Sequence, residues 1–244
     1  MINVGQADCI LIIQGNHSMI IDGGNNTDAS KLLRYINNLG ISKLDYVIGS
    51  HGHKDHIGGL DVVVDSYDIS KIFFPKQELE TKTFKSFMRS INNKEIKIYS
   101  PNVGEKFRLG DASFEIMAPN SAEYINANDY SIVIKLKYID NTFLFAADAE
   151  DVSEFEMVEN NLDIQADLLK VGHHGGKTST NQEFLDRVNP KYAVITCDKA
   201  KFGYPSIAVI NRLKKIGVNT FTTAKHGNIV VISDGSDITL YTNN

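Results

Sequence analysis

The chain has 244 residues, 42% of them hydrophobic and 23% charged, an ordinary soluble composition with apolar material for a sizeable core. Its 25 basic and 30 acidic residues leave a formal charge of −5. That excludes a protein held to nucleic acid or anionic membrane by bulk attraction, though not one with a locally basic groove.

Residues 9–13 read as a strand, Gly15-Asn16 as a tight turn and 19–21 as the returning strand, which runs into Asp22-Gly23-Gly24. A helix follows, with Leu32, Leu33, Ile36 and Leu39 on one face and Gly40 as its stop. Residues 44–48 form a short buried strand, and 71–74 and 96–99 two more. Between the last two lies a helix whose apolar face is Phe84, Phe87, Met88 and Ile91. The second half restarts with antiparallel signals at 106–109, 113–117, 132–138 and 142–147, the last pair turning at Asp140-Asn141. Strand–helix units follow at 167–171 and 192–196, then a hairpin spanning 218–240. Thr180 and Glu183 form a capping box for the helix carrying Phe184, Leu185 and Val188. Both halves thus run from antiparallel strands into strand–helix units. Two sheets face to face with helices outside both fits this order, as a single domain over 1–244.

No apolar run reaches the roughly 18 residues of a transmembrane helix, and the first residues lack a signal pattern. The expected setting is the cytoplasm, or the soluble part of a larger membrane protein, with no membrane contact within this chain. Cys9 and Cys197 sit apart in apolar stretches and read as free buried thiols.

Five of the seven histidines fall in two clusters. The first is Ser50-His51-Gly52-His53-Lys54-Asp55-His56, directly after a strand. Alternate His51 and His53 in an extended loop can face one metal ion, while Asp55 and His56 turn toward a second. Further ligands must come from elsewhere. Asp148 follows an apolar strand and suits a bridging carboxylate, although in isolation it reads as a helix N-cap before the acidic run to Glu159. His173 and His174, flanked by Gly172 and Gly175, follow another strand, with His173 the further ligand for the second metal. All these positions lie where loops of α/β architectures converge.

His51-x-His53-x-Asp55-His56 resembles the signature of the metallo-β-lactamase superfamily. Asn3-Val-Gly-Gln-Ala-Asp8, Ile20-Ile-Asp-Gly-Gly24, the stretch 50–59, Ala147-Asp-Ala-Glu150, Leu169-Lys-Val-Gly-His-His-Gly175 and Phe202-Gly-Tyr-Pro-Ser206 resemble the hydrolase domain of ComEC DNA-uptake proteins and their free-standing relatives. The resemblance implies a four-layer αββα sandwich holding two divalent metals, zinc by default with manganese as the alternative. It implies His51 and His53 on metal one, Asp55, His56 and His173 on metal two, and Asp148 between them. Asp22 would hold the first histidine loop in place. Two features depart from the wider superfamily. Where many members carry a histidine completing metal one, this chain has Asn126-Ala-Asn-Asp129, leaving Asn128 or Asp129 to stand in. Tyr204 stands where relatives have histidine in Gly-His-Pro-Ser.

Two metals clamp attacking and leaving oxygens, so the implied reaction is hydrolysis by a metal-bound hydroxide fixed by Asp148 and Asp55, with His174 near the leaving group or orienting the loop. The resemblance points to phosphodiesters, single-stranded DNA foremost. Residues 71–97 hold seven basic and three acidic residues, a net +4 against −9 for the remainder, and Lys82, Lys85 and Arg89 share one helix face, which suits either a phosphate backbone or plain solvent. Lys177, Ser179 and Tyr204 lie nearer the metals as substrate contacts, with capping of the next helix the alternative use of 177–179. Two other functions fit the pattern: hydrolysis of a small ester, lactone, thioester or phosphocholine-like substrate, and a metal-bound module without catalysis.

Overall fold

A computed structural model describes residues 1–198 and 203–243. Strands β1 (Ile10–Gln14) and β2 (His17–Ile21) pair antiparallel around Gly15, whose φ of +58° suits the two-residue turn. Strands β3 (Lys43–Ile48), β4 (Asp68–Phe73) and β5 (Ile98–Tyr99) add in parallel, giving a five-stranded sheet in the order 1-2-3-4-5. The connections carry α1 (Ala29–Asn38), the single turn α2 (Lys54–Ile57), α3 (Leu60–Ser66) and α4 (Lys82–Asn93).

The second sheet opens with β6 (Lys106–Leu109), β7 (Ala112–Ala118), β8 (Val133–Tyr138) and β9 (Asn141–Phe145), all antiparallel neighbours. After α5 (Asp151–Glu159), strand β10 (Leu168–Lys170) pairs parallel to β9. Helix α6 (Gln182–Val188), strand β11 (Tyr192–Ile195), helix α7 (Ile207–Lys215) and strand β12 (Asn219–Thr222) complete a seven-stranded sheet in the order 12-11-10-9-8-7-6. The turn α8 (Thr223–His226) leads to a separate hairpin of β13 (Ile229–Ser233) and β14 (Ile238–Thr242).

Side-chain alternation along these strands sorts the core into three apolar layers. Ile20, Val47 and Ile72 pack against Leu32 and Ile36 of α1, Val63 of α3, and Phe84, Phe87 and Ile91 of α4. Met19, Ile21, Ile48 and Phe73 point the other way and meet Phe114, Ile116, Phe143, Phe145, Leu168 and Val194 of the second sheet. On the far face of that sheet, Leu144, Leu169, Ala193 and Ile195 pack against Met157, Phe184, Leu185, Val188 and Leu213. Three apolar layers between helix, sheet, sheet and helix give the expected αββα sandwich. Both cysteines are free and buried. Among the described residues no helix is long and apolar enough to cross a membrane.

The fold differs from the sequence reading at three places. The β8–β9 turn is Ile139-Asp140, one residue earlier than expected, with Ile139 at φ 54° and Asp140 N–H bonded to Gly235 O at 3.0 Å. Residues 218–240 are not one hairpin, because β12 pairs in parallel with β11 and only β13 and β14 pair with each other. The α6 cap is Asn181, whose side chain accepts from Phe184 N at 2.9 Å, while Thr180 sits at φ 52° and cannot form the capping box.

Candidate metal centre

Asp22, the loop of residues 49–56, Asp148, His174 and Thr196 follow β2, β3, β9, β10 and β11, so the C-terminal ends of five strands from both sheets deliver their side chains to one place. Asp22 is fully buried and accepts from Ser50 N at 2.8 Å and Ser50 Oγ at 2.7 Å. Its Oδ2 also lies 2.8 Å from Nδ1 of His56. That contact fixes the ring so that Nε2 faces inward, 3.1 Å from Asp148 Oδ2. Nε2 of His51 and Nδ1 of His53 meet at 3.1 Å, as two donors aimed at one point would. His174 Nε2 completes the cluster, 3.6 Å from Asp55 Oδ2 and 3.7 Å from Asp148 Oδ2.

These contacts assemble three-donor groups of His51, His56 and Asp148, and of Asp55, His56 and His174. Asp8 joins two more, one with Asp22 and His56 and one with Asp148 and His174. The residues fit divalent cations on two counts. His56 Nε2, His174 Nε2 and Asp148 Oδ1 are buried without a hydrogen-bond partner. Four carboxylates, Asp8, Asp22, Asp55 and Asp148, also gather here with one buried ammonium among the described residues, that of Lys170 beside Asp8 and Asp148. With neutral imidazoles the pocket therefore carries roughly −3, a charge that a low-dielectric interior keeps only beside cations.

The electrostatics of these side chains follow from this excess. Burial opposes charging His56 and His174, but Asp148 with Asp22, and Asp148 with Asp8, outweigh it; His56 rises well above the usual imidazole range and His174 to about 9. Asp55 falls to about 2, because the neighbouring His174 and the His56 charge overcome its burial. Burial and the neighbouring His56 hold His51 well below its usual value.

The adjacent histidines are splayed by their backbone. His173 (φ 45°, ψ 46°) and His174 (φ 52°, ψ 24°) are both left-handed, a conformation costing non-glycine residues roughly 1–2 kcal/mol each. It is held by His173 N–H to Ala147 O at 3.0 Å and Gly176 N–H to His173 O at 2.7 Å. His174 turns inward, its Nδ1 2.8 Å from Thr196 O. His173 turns to the rim, with Nδ1 2.9 Å from Glu150 Oε1 and Nε2 3.3 Å from the Tyr204 hydroxyl. The expected positions of the two are interchanged: His174 stands among the donors and His173 beside them.

Other expected residues have different surroundings. Asn128 donates to Glu150, and Asp129 accepts from Glu150 N at 3.2 Å and Ser153 N at 3.3 Å, fastening the start of α5 instead of approaching His51. Glu150, not Asp148, is the N-cap residue of α5. Ser179 is buried and donates to Gly172 O at 2.7 Å, bracing the histidine turn, so it offers nothing to a substrate. Lys177 is exposed. Tyr204 reaches the rim, while Phe202 of the same motif lies outside the described residues. On α4, Lys85 pairs with Glu80 and Arg89 donates to Ser86, which leaves less free charge than the sequence suggested. Spacing does not mark Asp8 or Lys170; a lysine inside the apolar run 168–171 is the signal that does.

The family model described as the metallo-beta-lactamase superfamily matches residues 2–197. The chain belongs to this superfamily. ComE operon protein 3 of Bacillus subtilis (strain 168) is 25% identical over 94% of this chain and 32% of its own length. Competence protein ComA of Neisseria gonorrhoeae is 25% identical over 92% of this chain and 30% of its own. The chain thus spans about a third of these curated relatives, which carry the ComEC-like resemblance of the motifs. Among solved structures, Igni18, titled a novel metallo hydrolase from the archaeon Ignicoccus hospitalis KIN4/I, superposes with a TM-score of 0.57 at 13% identity, covering 97% of this chain and 95% of that one. That likeness shows the metallo-β-lactamase fold. The superfamily is generally hydrolytic and typically binds two divalent metals, in keeping with the donor set found here.

Proposed function

We propose that this chain is a dinuclear metal-dependent hydrolase of phosphodiesters, with single-stranded DNA as its substrate class. The observation that carries the reading is the convergence of six donors from three strand ends, with the buried Nε2 atoms of His56 and His174 lacking any hydrogen-bond partner. His51 and His53 would hold one ion, Asp55, His56 and His174 the other, and Asp148 both. When bound, zinc or manganese would supply Lewis acidity and neutralise charge developing on a phosphoryl group.

The remaining work falls to the chain itself. Asp22 and Ser50 orient His56 and the histidine loop, while Asp55 and Asp148 align the attacking water by hydrogen bonding. Tyr204 and His173, joined at the rim, lie where a departing oxygen can accept a hydrogen bond. A cleft of about 620 Å³ opens on Asp55, with Lys31, Lys54, Asp28, Asp198 and the polar Asn3, Gln6, Asn25 and Thr27 along its walls. Its two lysines stand against three carboxylates, Asp28, Asp55 and Asp198, so the cleft is polar without being basic. Competence-protein relatives favour nucleic acid over a small ester.

Metal-free protein reloaded with Zn²⁺ or Mn²⁺ tests this against single-stranded DNA, bis-p-nitrophenyl phosphate and a lactone. Cleavage of both phosphodiesters, lost in D55A and H56A, is the expected result. Intact DNA beside an opened lactone refutes the substrate class. One bound ion with no turnover of any ester refutes the enzyme.

A further inference from the structure

The only buried ammonium near the centre, among the described residues, belongs to Lys170. Strand β10 places Leu168 in the layer between the sheets and Leu169 in the layer under the helices, so Lys170 repeats the orientation of Leu168 and points between the sheets. Its side chain is wholly inaccessible. The ammonium pairs with Asp8, donates to Ala147 O at 2.7 Å, and lies 4.0 Å from Asp148 Oδ1. Asp8 in turn accepts from Thr196 Oγ1 and lies 3.4 Å from His174 Nδ1. Asp8 therefore belongs, by distance, to two of the four potential cation-binding groups, yet its carboxylate is already engaged by Lys170.

We propose that Lys170 is a fixed internal cation that neutralises Asp8 beside Asp148, and thereby sets how tightly the centre holds divalent ions. The inference rests on the metal centre proposed above. A lysine that served packing alone would be replaceable by a hydrophobic residue of similar length, as buried ion pairs often are. A lysine that sets charge behaves differently. Removing it makes the pocket one unit more negative and draws divalent ions in. Neutralising Asp8 instead, with Lys170 kept, leaves an unpaired ammonium facing the same ions and drives them out.

The test is equilibrium binding of Zn²⁺ and Mn²⁺ against a chelator competitor for wild type, K170M, D8N and the K170M/D8N double variant, with circular dichroism recording the fold. K170M is expected to bind at least tenfold more tightly than wild type and D8N at least tenfold more weakly. The double variant, which removes both charges, should return within about threefold of wild type, because the two effects cancel. Thermal melts give a second readout: the melting temperature gained on adding metal should be larger in K170M than in wild type. Should K170M fold only with metal, the double variant and D8N carry the comparison, and metal-dependent folding of K170M itself supports the proposal. Weaker binding in both single variants, or no change in either, overturns it. A wild type that binds no divalent ion overturns the metal centre and this inference together, whereas wild-type binding without opposite shifts overturns this inference alone.

Discussion

Replacing Asp22 by asparagine tests whether the histidine loop is oriented by a carboxylate rather than by packing. In the native site Oδ1 accepts from Ser50 N at 2.8 Å, while Oδ2 receives the Ser50 hydroxyl at 2.7 Å and faces His56 Nδ1 at 2.8 Å. An asparagine keeping its carbonyl on Ser50 N must point its NH₂ group at His56 Nδ1. The NH₂ then donates to Nδ1, moving the ring proton to Nε2, the atom that faces Asp148 at 3.1 Å. Losing a hydrogen bond to a charged partner costs about 1.5–3 kcal/mol, and such orienting partners typically contribute about 10–100-fold in metal affinity. D22N should therefore bind Zn²⁺ or Mn²⁺ one to two orders of magnitude more weakly in chelator competition, at a stability cost of about 1–3 kcal/mol in urea. The fold should survive, because the amide is isosteric. Metal affinity equal to that of wild type in a folded D22N protein would refute the reasoning, since His56 would then need no carboxylate to present Nε2.

Three further changes have defined outcomes. An added Cβ at Gly58 would lie 2.4 Å from Asn26 N and Lys54 O, both backbone atoms, so G58A should destabilise the fold by about 1–3 kcal/mol or more in urea unfolding. Asn181→Ala removes the α6 cap and should cost about 1 kcal/mol by the same method, with metal affinity unchanged. Glu154, buried in α5, is pushed from 4.5 up to about 8 by burial, against the Asn181 and Thr180 N–H groups that favour its ionised form. A raised carboxyl stabilises the fold fully below its unfolded value and loses that contribution as pH rises through the folded one. Wild-type stability should thus fall between pH 4.5 and about 8, and E154Q should flatten this decline in urea titrations across that range.

The first histidine loop was legible because its residues are consecutive and leave a strand together, so spacing alone brings His51, His53, Asp55 and His56 to one end of the sheet. The layer order was legible for a similar reason, since strand alternation and helix periodicity are local signals. The choice between His173 and His174 was not. It depends on two successive left-handed residues, a conformation that adjacency does not reveal. The pairing of Asp8 with Lys170 is not legible in sequence, because it joins segments 162 positions apart in the numbering and depends on which way β10 faces. Residues 218–240 misled because parallel pairing of β12 with β11 is non-local, whereas a hairpin is the local default. Asn128 and Asp129 offered ligand chemistry in sequence, but the need to cap α5 and hold Glu150 took precedence.

The most direct test is a titration of metal-free protein with Zn²⁺ or Mn²⁺ while hydrolysis of single-stranded DNA is followed. The expected record shows no cleavage without metal and activity that rises to a plateau at two equivalents per chain. DNA that stays intact at every loading, in protein that has bound both ions, would contradict the assignment of this centre to phosphodiester hydrolysis.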